Sequence, residues 1–125
     1  MTKEPQSSED SKKYDLEERT ARFGEDAIEL LKRVPKNEIT RAIINQLSKC
    51  CTSVGANYCE ADDAESSKDF KHKIGICKKE SREAKHFFRM LDKAVPELRE
   101  GSVKMWMEAK ELNLIFNAIY RKVRK

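Results

Sequence analysis

Apolar residues recur at steps of three and four along four separate segments of the chain, a period typical of helices that bury one face. On this pattern we predict helices at about residues 14–34, 37–61, 67–93 and 98–123. The helices would be similar in length and joined by short corners, so sequential helices should be antiparallel neighbours. The sequence therefore predicts an all-α protein, an up-down-up-down antiparallel four-helix bundle.

The composition also favours helices over sheet, since charged residues make up 38% of the chain and only 4 Gly and 3 Pro occur. Residues 1–13 contain no apolar block after Met1, so we expect a disordered tail rather than a signal peptide. Residues 14–125 would then form a single domain. No apolar run approaches the roughly 20 residues of a membrane helix. We therefore expect a cytoplasmic protein with no membrane partner.

The stretch from Thr52 to Phe70 concentrates acidic and polar residues and could be a reaction centre or a corner between two helices. A structural interpretation explains most of it. Gly55 would permit close packing, and Asn57 lies on the apolar stripe as a buried polar residue that fixes the register. Ser66 followed by Asp69 resembles a capping box that opens the third helix. We therefore expect a helix corner here.

One enzymatic alternative is a di-iron site, because Glu83 and His86 form an E-x-x-H motif of the kind that di-iron bundles use twice. The sequence has no second copy of this motif. The apolar stripe passes through Ala84 and Phe88, which places His86 on the outer side of the helix. We expect no metal cofactor at this position.

A second enzymatic alternative is a carboxylate acid–base site formed by Glu60, Glu80 and Glu83, which would need burial or crowding to raise one pKa. Neighbouring Lys and Arg residues make structural ion pairs the preferred interpretation, and we predict no catalytic residue. The four cysteines form no C-x-x-C pair, so we expect small buried thiols rather than a zinc site. They are Cys50, Cys51, Cys59 and Cys77.

The chain has more apolar residues than one stripe per helix requires. Those off the stripes predict a second buried surface, which we interpret as an interface between subunits, against the alternative of scattered surface residues or a wider core. The candidates are Ile44, Tyr58, Ile76, Phe87, Trp106, Met107, Leu114 and Ile115.

Positive charge is concentrated in the second half of the chain. A basic stripe on the third helix and a basic C-terminus are typical of contact with a phosphate backbone, although a solvated face that aids solubility is the alternative. No segment interleaves aromatic residues with these charges, so we expect no reading of bases. The candidate nucleic-acid-binding residues are Lys78, Arg82, Lys85, Arg89, Arg121, Lys122, Arg124 and Lys125.

The block from Asn45 to Leu91 resembles the bacterial four-helix-bundle proteins that are encoded by intervening sequences inside 23S ribosomal RNA genes. The resemblance extends over residues 14–123, and the chain departs from the family pattern at the aromatic run "HFF" and at Cys50 and Cys51. The residues that match the family motif are Ser53, Gly55, Asn57, Glu60, Ser66, Asp69, Phe70, Glu80 and Glu83.

This resemblance implies a non-enzymatic subunit without a cofactor that assembles into a ring-like homopentamer. It also implies kinship with the accessory variability determinant of diversity-generating retroelements, a basic bundle that associates with a reverse transcriptase and nucleic acid. We therefore expect a self-assembling binding or scaffold module, with RNA or another nucleic acid as a candidate partner. An adaptor for one specific protein is a weaker alternative that the sequence does not separate from it.

Overall fold

The computed structural model describes the backbone of residues 8–123 and the side chains of residues 16–123. It contains four helices, α1 (Ser8–Lys32), α2 (Glu38–Asp62), α3 (Ser67–Ala94) and α4 (Arg99–Lys122), and a single 3-10 turn, Pro96–Leu98, before α4. The predicted all-α four-helix bundle is confirmed. None of the described helices combines the length and the apolar composition that a membrane span requires.

The first helix begins at Ser8, earlier than the predicted start at Tyr14. Residues 8–13, which were expected in a tail, therefore continue α1. Extension of an existing helix adds one backbone hydrogen bond per residue without a new nucleation cost, so a polar segment can join it. The rest of the expected tail, residues 1–7, lies outside the described residues.

Side-chain caps hold the starts of α2 and α3. The Oδ1 atom of Asn37 accepts a hydrogen bond from the backbone N–H of Thr40 at 2.9 Å. In return, the Thr40 hydroxyl accepts the Asn37 N–H at 2.9 Å, which completes a capping box that the sequence did not predict. At α3, the Ser66 hydroxyl accepts the Asp69 N–H at 3.1 Å. The N-cap role of Ser66 is confirmed, but among the described contacts the Asp69 carboxylate does not accept the Ser66 N–H, so the predicted capping box is only half formed.

The core lies where the apolar stripes of the four helices meet, and its largest fully buried side chains are Phe23, Phe88 and Phe116 from α1, α3 and α4. The rings of Phe23 and Phe88 pack edge to face with their centroids 6.3 Å apart. Helix α3 packs extensively against both α2 and α4, whereas α1 packs mainly against α2 and touches α4 over little surface.

Two glycines allow α1 and α2 to approach closely. A Cβ atom at Gly55 would lie 3.3 Å from the carbonyl oxygen of Thr20, and one at Gly24 would lie 3.3 Å from the carbonyl oxygen of Cys51. Both neighbours are backbone atoms of the opposite helix, which cannot rotate away. The expectation that Gly55 permits close packing therefore agrees with the structure.

A salt bridge connects α1 to α4 beside this core. The Nε atom of Arg19 donates to one carboxylate oxygen of Glu108 at 2.7 Å, and its Nη2 atom donates to the other at 2.9 Å. This two-bond geometry is the strong form of an Arg–carboxylate pair. It bridges the helices on the side where α1 and α4 are separated by a groove of about 520 Å³.

The phase of α2 differs from the prediction. Tyr58 is only 8% exposed, and its ring packs on Phe116 with centroids 6.1 Å apart, so its assignment to a subunit interface is wrong. Asn57 is half-buried, and its amide donates to the carbonyl and hydroxyl oxygens of Ser53 at 2.9 Å each. Asn57 thus forms hydrogen bonds within its own helix, and Tyr58 occupies the core position that was expected for Asn57.

Candidate nucleic-acid interface between α3 and α4

The predicted basic stripe of α3 faces α4. Lys78 and Lys85 lie against aromatic rings of α4, and Arg89 lines a cavity together with the α4 residue Trp106. Arg82 is exposed and shares this face through its spacing of four residues from Lys78. The stripe therefore borders a second helix that supplies groups of its own.

At one end of this border, the ring of Tyr120 lies near two lysines. The Nζ atom of Lys71 is 4.6 Å from the ring centroid, and that of Lys78 is 4.3 Å from it. Both are within the range of a cation–π contact. The ring rests on Gly75, where an added Cβ would lie only 3.2 Å from the Tyr120 Cε1 atom. The missing side chain of Gly75 thus makes room for the ring against α3.

At the other end, the half-buried ring of Trp106 also lies near two lysines. The Nζ atom of Lys85 is 5.8 Å from the indole ring, and that of Lys110 is 5.4 Å from it. Lys85 comes from α3, and Lys110 comes from α4 one turn after Trp106. The same combination of one ring and two ammonium groups therefore occurs twice.

A short polar network separates the two rings. The Asn113 amide donates to the Lys78 carbonyl at 2.8 Å and to the Ser81 hydroxyl at 3.3 Å, and the Asn117 amide donates to Asn113 Oδ1 at 3.2 Å. The rings are about 21 Å apart along α4 at its rise of about 1.5 Å per residue. We call this surface the lysine–aromatic face; its residues are Lys71, Lys78, Lys85, Trp106, Lys110 and Tyr120.

The sequence pattern found only part of this face. Lys78 and Lys85 were predicted as nucleic-acid contacts, and Trp106 was assigned to a subunit interface. Lys71, Lys110 and Tyr120 were not singled out. The sequence of the basic segment has no interleaved aromatic residues, but lysines and aromatic rings alternate in the folded structure. This is because α3 supplies most of the lysines and α4 supplies the rings. The available signal was the spacing of seven residues that relates Lys71 to Lys78 and Lys78 to Lys85.

The basic C-terminus adjoins the Tyr120 end of the face. Arg121 and Lys122 are exposed in the last turn of α4, directly after Tyr120. The other two predicted residues of this tail, Arg124 and Lys125, lie outside the described residues. The two described cations extend the positive charge beyond the lysines that contact the ring.

The acids that could have formed an enzymatic site lie in different environments. Glu60 forms a salt bridge with Lys73 at 2.5 Å, whereas Glu83 and His86 are exposed. Burial, reinforced by the charge of Glu83, raises the pKa of the Glu80 carboxyl above its ordinary value. Among the residues described, no three His, Cys, Asp or Glu side chains lie close enough together to hold a metal ion.

Three of the four cysteines are buried as expected, but Cys59 is exposed because it follows the inward-facing Tyr58. The Cys77 thiol donates to the Val54 carbonyl at 3.5 Å, and burial raises its pKa to about 12. The pKa of Cys51 is raised well above its usual range by its hydrogen bond with the Cys50 side chain and by burial. Cys51 and Cys77 are therefore poor nucleophiles.

The predicted interface residues also differ in their exposure. Met107 is 57% exposed and Leu114 is 55% exposed, and their spacing of seven residues places both on the outer face of α4. The remaining candidates apart from Tyr58 are half-buried against their own subunit. These are Ile44, Ile76, Phe87, Trp106 and Ile115.

Fold and surface together define a helical-bundle protein with lysines and aromatic rings interleaved between two of its helices. The family model for the 23S rRNA-intervening sequence protein matches residues 12–96, and the chain belongs to this family. The matched range includes Lys71, Lys78 and Lys85, whereas Trp106 and Tyr120 lie in α4 beyond it.

A solved structure supports the same fold. It is the crystal structure of a protein with unknown function from the S23 ribosomal protein family from Bacteroides thetaiotaomicron VPI-5482. That protein superposes with a TM-score of 0.75 at 23% sequence identity, over 86% of this chain and 99% of that chain. At this identity the likeness shows the fold alone. Curated proteins give no match.

Proposed function

We propose that this protein is a non-enzymatic cytoplasmic module that binds RNA through its lysine–aromatic face. The observation that carries the proposal is the repeated arrangement of one α4 ring with two lysine ammonium groups within 6 Å of it. Lysines neutralise phosphates, and aromatic side chains stack on unpaired bases. A surface that offers both in alternation suits a single-stranded segment better than a duplex, whose bases are already stacked.

The charge distribution supports the same partner. Arg82 and Arg89 continue the stripe of Lys78 and Lys85 along α3, and their guanidinium groups suit phosphate oxygens. Arg121 extends the positive charge at the Tyr120 end. A nucleic-acid strand that follows the border of α3 and α4 would therefore meet cations along its whole path.

Binding of a fluorescently labelled single-stranded RNA across a salt series tests the proposal. We expect log affinity to fall linearly with log salt, with a slope of roughly 0.7 for each phosphate neutralised. Replacement of Lys78 and Lys85 by Gln should weaken binding and make this slope shallower by about one to two such contacts. The matched control replaces Lys36 and Lys49 by Gln; both are exposed and lie away from the lysine–aromatic face. An equal slope for both double variants would contradict the proposal.

We further propose that the subunits assemble into a ring-like homo-oligomer, and a pentamer is the size that the family resemblance implies. The exposure of Met107 and Leu114 on one face of α4 supports an apolar contact between copies. Light scattering at micromolar concentration should give a multiple of the 14.5 kDa subunit mass. Replacement of both residues by Lys should shift the protein toward the monomer, whereas Ile39→Lys on α2 should not. A strictly monomeric wild-type protein would refute self-assembly.

A further inference from the structure

A small cavity lies at the Trp106 end of the lysine–aromatic face, between the last turns of α3 and the first turns of α4. Its volume is about 240 Å³. A water molecule occupies only about 30 Å³ of liquid, and pockets for drug-sized ligands begin at about 300 Å³. The cavity is therefore the size of one planar ring system. Its lining residues are Phe88, Arg89, Asp92, Ser102, Val103 and Trp106.

Two polar atoms of this lining are buried without a hydrogen-bond partner. They are Asp92 Oδ1 and Ser102 Oγ, and no other buried side-chain nitrogen or oxygen in the described part of the chain shares this state. Ser102 is 0% exposed. The other oxygen of Asp92 accepts from Arg99 at 2.5 Å, so Oδ1 alone lacks a partner, and a ligand reaches it and Ser102 Oγ when the side chains that cover them shift. Unpaired buried polar atoms cost stability, so a ligand that bonds to both would recover that cost.

The chemistry of these atoms specifies the ligand. A carboxylate oxygen beside an arginine only accepts, so the ligand must donate a hydrogen bond to Asp92 Oδ1. The Ser102 hydroxyl can donate or accept, so it suits an adjacent acceptor on the same ligand. The indole of Trp106 offers a flat apolar surface, and Arg89 lies at the rim. A planar group with a neighbouring donor and acceptor and an attached anion satisfies all four residues.

We propose that this cavity binds one unpaired nucleobase of the RNA, stacked on Trp106, with its base edge hydrogen-bonded to Asp92 and Ser102. The site rests on the proposed RNA-binding function and adds base recognition to it. Adenine, cytosine and guanine each carry an exocyclic amino group, whereas the one edge donor of uracil, N3–H, lies between two carbonyl oxygens that a carboxylate repels. The site therefore prefers an amino-bearing base over uracil.

The test uses the single tryptophan of the chain, whose fluorescence reports directly on the cavity. Three labelled probes of equal length are compared: oligocytidylate, oligouridylate and an abasic ribose-phosphate strand. Anisotropy of the label measures binding of the strand, and quenching of Trp106 measures occupation of the cavity. We expect oligocytidylate to quench Trp106 and to bind about tenfold more tightly than oligouridylate, the scale of a hydrogen bond to a charged acceptor. The abasic strand should bind without quenching.

Two variants separate base recognition from folding. Ser102→Ala removes an unpaired buried hydroxyl, so the protein should fold at least as stably as wild type and yet lose several-fold of its affinity for oligocytidylate. Asp92→Ala should abolish the preference for oligocytidylate over oligouridylate. Glu100→Ala is the control for charge, since it is exposed near the cavity and changes the net charge equally.

The two readouts distinguish failure of this site from failure of the proposed function. Salt-dependent anisotropy with no quenching of Trp106 and no base preference would overturn the cavity site and leave RNA binding intact. Retention of the cytidine preference in both Ser102→Ala and Asp92→Ala would overturn it as well. An absence of anisotropy change with every RNA would refute the proposed function, and this site with it.

Discussion

For Gly55→Ala, helix propensity and the close approach of α1 and α2 predict opposite changes in the free energy of unfolding. In a helix interior, Ala is more favourable than Gly by about 1 kcal/mol. At Gly55 the added methyl would lie 3.3 Å from the Thr20 carbonyl oxygen, so α1 would have to move by a few tenths of an ångström. Overpacking of this kind costs about 1–3 kcal/mol. We therefore expect a net loss of about 1 kcal/mol in the free energy of unfolding.

Urea denaturation followed by far-ultraviolet circular dichroism at fixed protein concentration measures this change. Gly75→Ala is the matched control, because its nearest neighbour is the ring of Tyr120, a side chain that can rotate away. We expect Gly75→Ala to stabilise the protein by less than the full propensity gain of about 1 kcal/mol, since the Tyr120 ring must shift away from an added Cβ that would lie 3.2 Å from it. Gly24→Ala should behave like Gly55→Ala. The double variant should lose less than the sum, since one displacement of α1 relieves both contacts.

Equal stabilisation by Gly55→Ala and Gly75→Ala would refute the reasoning. It would mean that the two backbones are not in contact at Gly55 and that propensity alone decides the outcome.

Three further predictions concern single side chains. Burial raises the pKa of Glu80 in the folded protein above its ordinary 4.5, so the folded state binds the proton more tightly than the unfolded state does. The free energy of unfolding therefore falls as pH rises from the pKa of the unfolded state to that of the folded state. Glu80→Gln should therefore stabilise the protein at pH 7 and lose the advantage near pH 4, as measured by urea denaturation at each pH. Under native conditions a maleimide should label Cys59 alone, and mass spectrometry showing more than one rapid adduct would contradict the burial of the other thiols. Thr40→Val should lower the free energy of unfolding by about 1–3 kcal/mol, because it leaves the Asn37 N–H without its partner, whereas the exposed Thr52→Val should change it little.

The sequence was sufficient for the fold because its signals were local. The caps at Asn37 and Ser66 depend on residues within one turn, and the apolar period identifies each helix. The error at Asn57 and Tyr58 has a physical cause: both steps of three and steps of four fit a helix, so the pattern alone does not say which residue faces inward. The neighbouring helices decide it, since Phe116 of α4 packs on the Tyr58 ring.

The lysine–aromatic face was predictable only in part for a similar reason. The spacing on α3 places its lysines on one face, but their relation to α4 depends on the packing of the two helices. Tyr120 reaches Lys71 and Lys78 only because Gly75 leaves room for its ring. The cavity at Ser102 likewise depends on how the end of α3 meets the start of α4. The sequence of either helix alone contains no signal for such contacts between helices.

The limited contact between α1 and α4 has a consequence for the cooperativity of the molecule. Local unfolding begins where few buried contacts oppose it, and α1 packs on α4 over little surface, through the Arg19–Glu108 pair and the contact of Leu30 with Gly101. The first sub-global opening is then the detachment of α1, with α2, α3 and α4 still associated. Since α3 and α4 alone form the lysine–aromatic face, the proposed binding of RNA there should slow amide exchange in those two helices and leave the opening of α1 nearly unchanged.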